Sequence, residues 1–98
     1  MEDGQIIVGV VRIELSLPGA RGLKDKRRLV TGLIERAQNR FRVCAAEVDH
    51  QDNWRRATVA FACLSNSTSH AHAVLAKVAD FVERQADLVV MEFQVEIR

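Results

Sequence analysis

The chain has 98 residues, close to half of them apolar and 28% charged, and a formal net charge of +1. That is room for one domain, 1–98, around one core, with no disorder signature, low-complexity tract or internal repeat. The acidic, polar start Met1-Glu2-Asp3-Gly4-Gln5 is not a signal peptide, and apolar runs such as Val59–Leu64 are too short to cross a bilayer, so a soluble, cytoplasmic protein with no membrane partner is expected.

Residues 6–17 alternate, with Ile7, Gly9, Val11, Ile13, Leu15 and Leu17 on one face and Arg12, Glu14 and Ser16 on the other. Period two over this length predicts a strand with one deeply buried face. Leu17-Pro18-Gly19 ends it, because proline lacks the ladder donor and glycine permits a turn. Residues 23–41 then switch to helical spacing, with Val30, Leu33, Ile34, Ala37 and Phe41 on one stripe. Gly22 is the expected N-cap, and Asp25 falls in the first turn, where a carboxylate meets free backbone N–H groups and the positive end of the helix dipole.

Residues 42–49 and 55–65 predict a hairpin joined by the polar loop His50-Gln51-Asp52-Asn53-Trp54. Cys44, Ala46 and Val48 are placed on the buried face of its first strand; Ala57, Val59, Phe61 and Cys63 take that face in the second. Both cysteines would then point inward and lie near one another, read as free thiols in a reducing compartment, with a disulfide between them as the lesser reading. Residues 66–86 form a second helix, capped by Ser67, Thr68 or Ser69, with Ala71, Val74, Leu75, Val78, Phe81 and Val82 as its apolar stripe. Residues 88–97 form the last strand, with Val89, Met91, Phe93, Val95 and Ile97 inward and Glu92, Gln94 and Glu96 outward. The order βαββαβ predicts an α+β, ferredoxin-like sandwich: two helices on one face of a four-stranded antiparallel sheet, with the first and third strands central.

Charge is segregated. Between Arg21 and Arg42, eight cations (Arg21, Lys24, Lys26, Arg27, Arg28, Arg36, Arg40, Arg42) face two carboxylates, Asp25 and Glu35, a local net of plus six. Arg21, Lys24, Lys26, Arg27 and Arg28 gather at a helix start after a Gly-x-x-Gly turn, an arrangement that suits an anion such as RNA phosphate. The competing reading is a solvated helix face with Asp25 and Glu35 as local partners. The open sheet face carries no aromatic residue for base stacking, so it suits a homodimer or another protein partner better than RNA, or is simply left in water. The loop residues His50, Gln51, Asp52 and Trp54 are a candidate ligand site, with His50 and Asp49 or Asp52 as an acid–base pair; the plainer reading is a polar turn. No metal-ligand spacing, nucleophile elbow or cofactor motif is present, so no catalytic residue, metal or cofactor is assigned.

Three runs together, VGVVRIELSLPGARGLKDKRR, LIERAQNRF and AAEVDHQDNWRRATVAFACLSN, resemble the YlxP-like family of small bacterial proteins, also called DUF503. The resemblance implies a ferredoxin-like fold and no established activity. Genes of that family tend to lie near those for translation initiation and ribosome assembly, which implies ribosomal RNA or a ribosome-bound protein as partner. The family's runs fall on Leu23, Lys24, Asp25, Lys26 and Arg27, and on His50, Gln51, Asp52 and Trp54; its usual serine is Gly22 here, so a cap hydroxyl is missing.

Overall fold

Strand β1, Ile7–Ser16, lies inside the sheet and buries every second residue. A computed structural model describes residues 4–98; the first three residues of the acidic start, read above as no signal peptide, lie outside the described residues. After β1 come α1 (Leu23–Arg40), β2 (Cys44–Asp49), β3 (Arg56–Ser65), α2 (Thr68–Glu83) and β4 (Val89–Ile97). The strands form one antiparallel sheet in the order β2-β3-β1-β4, so the first and third strands are central, as expected from the sequence. This is the ferredoxin-like βαββαβ arrangement, with the core between sheet and helices.

Local signals explain most of these boundaries. Gly22 begins α1 with an extended backbone and offers no side-chain cap. Ser67 caps α2: its hydroxyl accepts a hydrogen bond from the His70 N–H at 3.3 Å, and the Ser65 hydroxyl accepts one from the Ser67 N–H at 3.1 Å. Phe61, Leu33, Leu75, Ile13 and Leu15 are fully buried and tie both helices to the two central strands. At Gly9, α2 packs directly against β1. A Cβ there would lie 3.0 Å from Leu75 Cδ1, 3.2 Å from Ala71 Cβ and 3.3 Å from Cys63 Sγ. A side chain at this position requires Leu75, Ala71 and Cys63 to give by a few tenths of an ångström, so the bulkier Gly9→Val is expected to cost about 1–3 kcal/mol in denaturant unfolding, with Gly9→Ala losing less.

Two strand faces differ from the sequence expectation. In β2, Phe61 pairs with Ala45, so Ala45 shares the helix side with it and Cys44, opposite Ala62, lies on the open face. Val43 and Ala45 pack on the core, whereas Cys44, Ala46 and Val48 are exposed. The apolar residues of Cys44-Ala45-Ala46-Glu47-Val48 fit either face, and pairing with β3 decides. The cysteines therefore point to opposite faces, both as free thiols, with Cys63 alone buried. In β4, a register shift opposite Glu14/Leu15 pairs Val90 with Leu15 and Val89 with Ser16. Val90 packs on the core, while Val89 and Met91 are exposed, the reverse of the alternation read from sequence.

Candidate functional site

The start of α1 is built around Asp25. Its Oδ2 accepts a hydrogen bond from the Arg21 backbone N–H at 3.1 Å, and its Oδ1 accepts one from the Arg28 guanidinium at 2.6 Å. The Arg28 bond, then the Arg21 N–H, hold the Asp25 carboxyl below its ordinary range. Arg28 is thus tied to a local carboxylate. Arg21, Lys24 and Arg27 are exposed and, among the described residues, make no salt bridge. The first helical hydrogen bond runs from the Lys26 N–H to the Gly22 carbonyl, so the N–H groups of Leu23, Lys24 and Asp25 precede the ladder. Arg21, Gly22, Lys24, Asp25 and Arg28 line one shallow depression at this point.

Lys26 requires a correction. Expected among the phosphate-facing cations, it is 0% exposed. It lies on the same stripe as Val30, Leu33 and Ala37 and so points inward between α1 and β2. Its Nζ lies 2.5 Å from Glu47 Oε2 and donates to the His50 carbonyl at 2.5 Å. The contact to Glu47 is ionic and lacks hydrogen-bond geometry. Glu47 is inward-facing for the reason that Ala45 is: it pairs with Val59. Sequence reading overlooked this pair because Lys26 sits in a run of cations that looks solvated. The available signal was its helical spacing to Val30 and Leu33.

The β2–β3 loop is a tight polar turn. His50 adopts a left-handed backbone with φ 63°, and its carbonyl accepts from the Asn53 N–H at 3.0 Å. Asp49 Oδ1 accepts from the His50 N–H, and Asn53 Oδ1 from the Arg55 N–H, so these short side chains bond their own backbone. The carboxylate beside the His50 ring is that of Glu14, Nε2 to Oε1 at 4.0 Å, and not that of Asp52. Glu14 is itself held by the Thr58 hydroxyl at 2.6 Å and by Arg12 Nε at 3.2 Å. Gln51 and Asp52 are exposed, and Trp54 stacks under the Arg55 guanidinium at 4.7 Å. The loop residues are thus joined to α1 through Lys26 and to β1 through Glu14, while Arg21, Lys24 and Arg27 stand apart from them as exposed cations.

A second basic region lies beyond the other end of α1. Arg40 sits over Phe41 and Phe81, 5.8 and 5.7 Å from their centroids, and the two rings meet edge to face. Arg40, Arg42, His70 and Lys77 line one groove over Cys63, Leu64 and Val74, and among the described residues no carboxylate lines it. Sequence reading counted Arg40 and Arg42 in the net charge but had no way to bring them beside Lys77 of α2. Among the described residues no group of three His, Cys, Asp or Glu is placed to hold a metal ion, and no helix is long and apolar enough to cross a membrane.

Comparison with known proteins gives the lineage of this arrangement. The family described as "Protein of unknown function (DUF503)" matches residues 8–95. The chain belongs to the DUF503 family. It is 30% identical over 77 residues to "Uncharacterized protein YlxP" of Bacillus subtilis (strain 168), which covers 79% of this chain and 84% of that protein. Among solved structures, "De novo designed protein Foldit4" superposes with a TM-score of 0.50 at 14% identity, over 96% of this chain and 94% of that one. That likeness concerns the fold alone. The DUF503 match spans both the α1 start and the β2–β3 loop.

Proposed function

We propose that this DUF503 protein is a non-enzymatic binding protein that holds the phosphate backbone of RNA, in the setting of the ribosome or its assembly, through the outward cations of the α1 start. The observation that carries this reading is that Arg21, Lys24 and Arg27 are exposed and unpaired among the described residues, and that Arg21 and Lys24 line the depression at a helix start whose first N–H groups precede the ladder. A phosphate oxygen can meet both kinds of donor at once. Lys26 takes no part, because its charge is spent inside the fold. Asp25 does not cancel the patch, since Arg28 and the Arg21 N–H already engage both its oxygens.

About three phosphate contacts give an affinity that falls with salt at a logarithmic slope of about −2 on single-stranded RNA and about −3 on a duplex. Fluorescence anisotropy with labelled single-stranded and duplex RNA across a salt series measures it. Lys24→Glu with Arg27→Glu is expected to flatten the slope to about −1 or less and to weaken binding of every sequence alike. Equal slopes for the wild type and this variant, or no binding by either, would remove the reading. Lys26→Glu is unsuitable as a probe, because reversing a buried charge tests folding and not binding.

A further inference from the structure

We propose that β4 is a docking edge for a second copy of this chain, paired antiparallel so that two sheets join into one. Strand β4 is the last in the sheet order, and among the described residues nothing covers its outer side. The backbone shows which residues face out. Val8 and Arg98 exchange N–H and carbonyl bonds at 3.0 and 2.8 Å. Antiparallel pairs alternate between bonded and non-bonded, so Ile97, Val95 and Phe93, opposite Gly9, Val11 and Ile13, turn their N–H and carbonyl groups away from β1. Their side chains lie on the helix side, as do those of their partners in β1. Phe93 is nevertheless 48% exposed and Val95 41% exposed, because the helix layer stops short of the edge. An exposed strand with unpaired backbone groups and an apolar row is an edge that natural folds cover or charge. Here the helix side of the row carries no charge.

The second copy is singled out by register. A partner strand must match outward groups to outward groups, so the two paired residue numbers add to an even value. Centring the two-fold axis on Gln94 sets Glu92 against Glu96 of the second copy, twice over. Centring on Phe93 runs Val95 into the irregular Met91 position. Centring on Val95 sets Phe93 against Ile97, Gln94 against Glu96 and Glu92 against Arg98, with Val95 meeting its own copy. That register alone joins an apolar row on one face to opposite charges on the other, and it stays clear of the bulge. Arg98, already 2.8 Å from Glu96 of its own chain, would then lie between two carboxylates. Ile6 and Leu64 are also exposed, but at one end of the open face, where no strand edge accompanies them.

Light scattering with analytical ultracentrifugation over a wide range of protein concentration tests the edge. The wild type is expected at the mass of two chains and Val95→Lys, which sets lysine against lysine on the axis, at the mass of one with unchanged circular dichroism. Glu92→Arg is expected to weaken the dimer and Glu92→Arg with Arg98→Glu to restore it. In a Cys44→Ala background, Val95→Cys is expected to form an intermolecular disulfide on mild oxidation and Phe93→Cys not to. A wild type that stays at the mass of one chain overturns the proposal. So does a dimer indifferent to Val95→Lys and to Glu92→Arg, which would place the contact elsewhere, and a disulfide at Phe93→Cys in place of Val95→Cys refutes the register.

Discussion

Replacing Lys26 with methionine is expected to destabilise the fold by about 3 kcal/mol, whereas Lys26→Met combined with Glu47→Leu returns to within about 1 kcal/mol of the wild type or exceeds it. The single change leaves the Glu47 carboxylate facing the core without its cation. Loss of one partner of a buried pair costs about 3–5 kcal/mol, and the lower end applies because the Glu47 side chain keeps 18% of its exposure. The double change removes both charges and fills the space with apolar atoms of similar volume. The His50 carbonyl does not become an orphan in either case, since it keeps the Asn53 N–H. Urea unfolding of the wild type, both single variants and the double variant measures the coupling. Losses that simply add would show that the two charges do not stabilise one another.

Phe61→Ala is expected to cost about 3–5 kcal/mol, and at about 4–8 °C per kcal/mol the melting temperature should fall steeply. Phe61 is fully buried on the central strand β3, between β2 and β1 and beneath the helices. Phe93→Ala, on the same side of the sheet but half exposed on the edge strand, should cost only about 1 kcal/mol within one chain. Thermal melts of the two variants under conditions that keep the chains apart measure that contrast. A large loss at Phe93 would mean that the edge is covered in the isolated chain.

Most of the architecture was legible because the elements that matter most carry strong periodicity. β1 alternates cleanly, β3 buries Ala57, Val59, Phe61 and Cys63 at every second position with Thr58 buried as well, and the apolar stripes of α1 and α2 are long enough to fix their faces. What was not legible has identifiable causes. β2 offers small apolar residues to both faces, so its orientation depends on pairing with β3 and on a glutamate that is tolerated inward only because Lys26 waits there. The shift in β4 arises from an extra residue near Met91 that no alternation pattern announces. At the α1 start, the sequence showed how many cations there are but not which are already committed. Lys26 is committed to Glu47 and Arg28 to Asp25, which leaves Arg21, Lys24 and Arg27. The groove lined by Arg40, Arg42 and Lys77 depends on the packing of α1 beside α2, which charge counting along a chain does not reveal.

The ammonium inside the fold also limits how the chain can be divided. One nitrogen ties the first turn of α1 to a carbonyl 24 positions further on, at the tip of the hairpin. Taking that nitrogen out of water is repaid only when Glu47 and the tip arrive together. The helix start and the hairpin therefore hold one another in place through this one side chain. Neither can be transplanted onto another scaffold without its counterpart, and a chain opened at the hairpin tip would give up the anchor along with the loop.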